Sequence, residues 1–303
     1  MPVNEKKGIV WAILAYTIWG FLPIYWKMIQ EVSSGEILSS RIIWSFVFTF
    51  GFVLLIGQRK TIVMDLKTLW MNKRAFWSLV AASVLISGNW FLYIWAVNNG
   101  FLIQTSLGYY INPLLSVLLG IIFLKERLTA AQKVAVVVAA VGVAILTFSY
   151  GHLPWLALAL AATFAFYGLM KKTIPLDALR GLTLETLFIL PIAIVYYIYS
   201  FIQEDVMFLH SSIKIDILLI LSGIATAIPL LLFAKGAQNI PLYLVGFLQY
   251  IAPTCMLLLG VIVYKESFGT LDFISFSFIW MGLIVFTISK MAQARAKKKK
   301  RII

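Results

Sequence analysis

One element of this chain is written twice, and each copy puts a proline inside an apolar run. Tyr110-Ile111-Asn112-Pro113 is followed by Gly120 and Lys125-Glu126, and Tyr250-Ile251-Ala252-Pro253 by Gly260 and Lys265-Glu266. The copies stand 140 positions apart, as do Asn99 and Asn239, and Gly142 and Gly282. Proline inside a helix removes a backbone hydrogen bond and crowds the preceding turn. Interruptions at corresponding places in two apolar halves point to a duplicated membrane protein with its binding site between the halves.

Composition agrees with lipid as the solvent. Of 303 residues 62% are hydrophobic and 12% charged. Ten apolar stretches are expected, at 8–28, 36–57, 75–97, 101–124, 130–148, 152–171, 182–201, 213–234, 241–264 and 270–289. Each is near the ~20 residues that span a bilayer as a helix. Unpaired backbone groups are costly in lipid, so these runs should be helices; they lack the alternation of barrel strands. The short polar start, Met1 to Lys7, is read as part of the mature chain, because no small-residue cleavage site follows the first run. The single cysteine, Cys255, excludes a disulfide framework or a cysteine cluster. His152 and His210 fall at expected helix edges and read as interfacial caps, so neither a metal site nor a cofactor is expected.

The net charge of +13 is informative through its distribution. If both termini are cytoplasmic, only Lys27, Arg41, Lys214 and Lys265 of the 25 Lys and Arg fall toward the other side. This is the positive-inside asymmetry. The tail Lys297 to Arg301 reads as an anionic-lipid contact, not a nucleic-acid site, since no aromatic residue interleaves it. Lys125-Glu126 then ends the fourth helix on the inside and Lys265-Glu266 the ninth on the outside. The expected architecture is an all-α integral membrane protein of ten helices in two inverted five-helix repeats, 1–149 and 150–303.

Polar groups at membrane depth are the candidate site residues. Arg41, about two turns into the second helix, reads as an anion-binding or gating group. Lys27 reads as an interfacial anchor, and Glu185 and Lys235 as interfacial groups near the inner face. Asn89, Asn112 and Gln249 lie deeper, where an amide either glues helices together or meets a solute. Trp19, Trp44, Trp90, Tyr93, Tyr109, Tyr110 and Tyr250 would supply aromatic walls suited to flat, amphipathic or cationic solutes. Pro113 and Pro253 are the candidate hinges. No nucleotide-binding loop occurs, and no cluster suggests catalysis.

The chain resembles the RarD-type branch of the EamA transporters, within the drug/metabolite transporter superfamily. The resemblance rests on Tyr16 to Lys27, Glu36 to Ser45, Gly88 to Asn99, Ser106 to Leu114, Glu185 to Pro191, Pro229 to Ala234 and Gly246 to Pro253. It implies ten helices, a bacterial inner-membrane location and movement of small organic solutes such as amino-acid-like metabolites or drugs, often outward. The branch takes its name from chloramphenicol sensitivity. Its pattern has glutamate before S-L-G-Y, where this chain has Gln104, and histidine before the arginine, where it has Ser40. Gln104 cannot carry a proton, so proton coupling through that position is not expected. The function expected is alternating-access transport by a monomer or a homodimer. A channel-like or signalling membrane protein is the alternative, and an integral-membrane enzyme the remote one.

Overall fold

A computed structural model describes residues 4–99, 101–149, 151, 153–203, 205–265 and 269–299, with the backbone alone at 97–98, 102–104 and 294–299. Among these the chain is all-helical. The first half comprises α1 (Glu5–Lys27), α2 (Ser34–Leu55), α3 (Arg59–Met71), α4 (Lys73–Asn98), α5 (Leu102–Leu124) and α6 (Ala130–Ser149). The second comprises α7 (Trp155–Thr173), α8 (Ala178–Ile202), α9 (Ile213–Asn239), α10 (Leu242–Gln249), α11 (Ile251–Leu258), a π-helical turn (Leu259–Val263) and α12 (Thr270–Lys299). Side-chain oxygens open four of these helices: Asn4, Ser33, Asp177 and Ser212 accept from N–H groups of the first turns of α1, α2, α8 and α9.

Nine helices among the described residues are long and apolar enough to cross a membrane, α10 through the π turn counting as one. The expected span at 152–171 corresponds to α7, which is not among the nine. It has 19 residues and ends on Lys171 and Lys172. α3 was not anticipated. Its 13 residues bury Ile62 and Leu69 while Trp70 and Met71 stay exposed. An ion pair from Arg180 to Asp65 (2.5 Å) and a hydrogen bond from Arg180 to Gln58 (2.7 Å) tie this connection to the start of α8.

The duplication is visible in the packing. α6 lies against α12, and the contact is reciprocal. A methyl group on Gly142 would sit 2.5 Å from the Ser275 carbonyl oxygen, and one on Gly282 2.8 Å from that of Ala135. Positions 142 and 135 become 282 and 275 on adding 140, so each half presents the same pair of features to the other. Reciprocity of this kind accompanies two-fold symmetry. The backbone repeats as well: Lys125 and Lys265, 140 apart, both adopt a left-handed conformation, with φ 53° and 57°. A two-repeat fold fits these observations.

The copies differ at their prolines. Pro113 lies within the continuous α5. The second copy breaks between Gln249 and Ile251, three residues before Pro253, and widens into the π turn farther on. α5 and α10 touch closely: a methyl group on Gly246 would meet the Pro113 carbonyl at 2.6 Å. Only glycine permits that approach, and it brings the two repeated elements together at the centre of the bundle.

Candidate functional site

A cavity of about 100 Å³ lies where α1, α2, α4, α5, α7 and α10–α11 converge. α1 contributes Tyr16, Trp19, Leu22, Pro23 and Trp26; α2 contributes Arg41; α4 contributes Asn89, Trp90 and Tyr93. α5 supplies Tyr109 and Asn112, α7 Phe164, and α10–α11 Gln249, Ala252 and Met256. Drug-sized ligand sites usually enclose roughly 300–1,000 Å³, so this state admits only a compact solute.

Eight of the eleven residues expected at the site meet here: Trp19, Arg41, Asn89, Trp90, Tyr93, Tyr109, Asn112 and Gln249. Three do not. Trp44 sits three positions beyond Arg41 and packs against Phe48 and Phe208, with the backbone of α9 pressed on it at Gly223. Tyr110 and Tyr250 each directly follow a lining residue. A helix turns about 100° per residue, which carries both side chains away from the cavity. Tyr110 meets Phe276 edge-on at 5.1 Å, and Tyr250 is 1% exposed in a cluster with Leu107, Ile111 and Ile279. Trp26 and Phe164 had not been expected at the site. Trp26 lies seven residues, about two helical turns, beyond Trp19, a spacing that places both on one face of α1.

Arg41 is the charged group of the lining. Its Nε donates to Thr226 Oγ1 at 3.0 Å, and its Cζ lies 4.6 Å from the ring centres of both Trp26 and Trp90. Cation–π attraction and one hydrogen bond therefore hold the guanidinium in place. Of the rings expected to face a solute, Trp90 thus has Arg41 against one face.

The amides divide by role. Asn89 Nδ2 donates to the Leu160 carbonyl (2.8 Å) and to Thr163 Oγ1 (2.9 Å), joining α4 to α7. Asn112 Oδ1 accepts from Ser116 (3.3 Å). The Tyr16 hydroxyl and Gln249 stand together on the cavity wall, yet neither that hydroxyl nor Gln249 Oε1 completes a hydrogen bond of good geometry. Buried polar atoms without partners are uncommon and mark places where a solute or water can bind.

Aromatic packing continues from the cavity wall into the buried protein. Tyr16, Trp19, Phe164, Tyr167 and Phe233 pack ring on ring at 5.4–6.2 Å, with Phe233 and Tyr167 fully buried. Next to this cluster, Lys171 pairs with Glu185 at 2.7 Å, and the Tyr167 hydroxyl donates to the same carboxylate. Glu185 is 2% exposed, its carboxylate enclosed by protein. Lys235, in contrast, is exposed, above the Trp11 ring. Farther along, Glu126 accepts from the N–H groups of Leu242 (2.7 Å) and Tyr243 (2.9 Å), and Lys172 donates to the Ile240 carbonyl. A carboxylate is well placed at a helix N-terminus, where it complements the dipole and the unpaired donors of α10.

No group of three or more His, Cys, Asp or Glu able to hold a metal occurs among the described residues. The side chains of Gln104 and of the basic tail from Arg295, and all of His152, lie outside the described residues.

A profile of the EamA-like transporter family matches this chain twice, at residues 6–148 and 153–288. The uncharacterized transporter YojE of Bacillus subtilis is 49% identical over 97% of this chain and 98% of its own length. Protein RarD of Escherichia coli is 40% identical over 98% and 99%. A protein of known crystal structure, at 18% identity, superposes with a TM-score of 0.68 over 94% of this chain and 98% of its own, which shows a shared fold.

Proposed function

The chain belongs to the EamA-like transporter family and is a multi-pass membrane transporter of the RarD type, not an enzyme; from that premise we propose that it carries small organic solutes across a bacterial inner membrane by alternating access. The cavity is the solute site, with Arg41, Trp19, Asn89, Trp90, Tyr93, Tyr109, Asn112 and Gln249 on its wall. The halves 1–149 and 150–303 are inverted five-helix repeats, a reading supported by the reciprocal contact of Gly142 and Gly282.

The mechanism rests on reading two contacts as successive closures at one end of the cavity. These are the aromatic cluster and the capping of α10 by Glu126. A channel needs a continuous path, whereas a carrier needs one end shut while the other admits solute. The Glu126 contact joins the end of α5 to the start of α10, so opening that end requires the two proline-bearing elements to part. Pro253, beside the helix break and the π turn, is the hinge that bends; Pro113 sits in the element that swings as a rod. The basic tail anchors on anionic lipid, and net flux is outward.

Counterflow in proteoliposomes tests the carrier. Vesicles preloaded with unlabelled solute should accumulate labelled solute transiently above equilibrium. Monotonic, non-saturable equilibration would instead identify a channel.

A further inference from the structure

We infer that the transported solute is an anion, a carboxylate on a flat apolar body, and that Arg41 is its counter-ion within the cavity. This rests on the reading of the cavity as the solute site. A guanidinium stays ionised in proteins, and a charge within a membrane span needs compensation. Among the described residues no carboxylate provides it. The ion pairs there are Lys171–Glu185, Arg180–Asp65 and Lys290–Glu5. Glu36, five residues before Arg41 on α2, spends both oxygens on the N–H groups of Met207 (3.0 Å) and Phe208 (2.8 Å). Among the described residues the cavity wall carries no Asp or Glu.

What holds Arg41 also aims it. Thr226 fixes Nε, and Trp26 and Trp90 take the guanidinium against their rings. Among the described residues no hydrogen bond takes the two terminal nitrogens, and they form a fork of the geometry that binds a carboxylate through two parallel hydrogen bonds. Trp19, Tyr93, Tyr109 and Phe164 line the cavity as two edge-to-face pairs, Trp19 with Phe164 and Tyr93 with Tyr109, and offer an aromatic wall to an apolar body, while pairing with Arg41 offsets the cost of holding the solute's charge at membrane depth. A cationic solute meets the opposite situation: a like charge in the cavity and two aromatic faces already used.

Thermal melting of the purified full chain in nanodiscs tests the inference with two matched series. They are phenylacetate, phenylacetamide and phenethylamine, and indole-3-acetate, indole-3-acetamide and tryptamine, with sodium chloride as the inorganic anion. The acids should raise the melting temperature at concentrations at least ten-fold lower than the amides, the amines or chloride. That preference should vanish in Arg41→Gln and persist, weakened, in Arg41→Lys, which guards against misfolding of the first variant. Equal stabilisation by amides or amines, no stabilisation by either acid, or an acid preference that survives Arg41→Gln overturns the inference. Chloride acting as well as the acids overturns the organic solute. Trp19→Leu separates the two readings: acid stabilisation that this change leaves intact argues against the cavity as the site, while lost amine or amide binding keeps the cavity and rejects the anion.

Discussion

The second helix of each half begins alike and ends up with opposite electrostatics. Ser33 caps α2 and Asp177 caps α8. Three residues after the cap stand Glu36 and Arg180; eight residues after it stand Arg41 and Glu185. The register is shared and the signs are exchanged. Glu36 and Arg180 do the same job, each tying its helix start to a connection of the other half: Glu36 to the backbone at 207–208, Arg180 to Gln58 and Asp65. The deeper pair diverges. Glu185 is buried and matched by Lys171 and Tyr167, whereas Arg41 faces the cavity without a carboxylate. One half has its charge satisfied within the protein and gains structure from it. The other leaves its charge for something that enters.

That contrast can be broken by mutation. Lys171→Met leaves Glu185 buried and unpaired and should cost about 3–5 kcal/mol. Most of the monodisperse protein should be lost in size-exclusion chromatography, with recovery in Lys171→Met/Glu185→Leu. Arg41→Gln gives up one hydrogen bond to Thr226 and its ring contacts but strands no buried charge, and should melt much closer to the wild type. If the two single variants were equally destabilised, Arg41 would be structural as well. Next in size, Gly142→Ala and Gly282→Ala should each cost about 1–3 kcal/mol, because each added methyl meets a backbone carbonyl. Melting curves should show similar losses for the two; a harmless change at one site would mean that the halves are not equivalent there. Smallest in their effect on transport are Trp44→Phe and Tyr110→Phe, outside the cavity, each costing about 0.5–2 kcal/mol of stability through lost packing and leaving uptake unchanged. A transport defect at either would extend the site beyond the cavity.

Much of the helical arrangement could be read from apolar runs because lipid forces every backbone group into internal hydrogen bonds. α3 escaped notice because a 13-residue amphipathic helix has no long apolar run. The break at Gln249–Ile251 escaped because Pro113 and Pro253 look alike in sequence; what differs is the packing around them. Depth along a helix is legible, azimuth much less so. Asn112 and Gln249 could be placed beside the prolines, but Tyr110 and Tyr250, one residue away, point elsewhere. Lys171 and Glu185 lie 14 residues apart on different helices, and only the fold reveals that they are partners.

Accessibility at the two ends of the cavity tests the central claim most directly. In a Cys255→Ala background, Met256→Cys reports on the cavity and Ile240→Cys on the closed end, where Ile240 is 1% exposed. Both are labelled with a small thiol reagent present on both sides of the membrane, during turnover and at rest. Alternating access predicts that a solute which slows labelling at one position speeds it at the other. Rates that rise and fall together, or an Ile240→Cys that never labels during turnover, would contradict it.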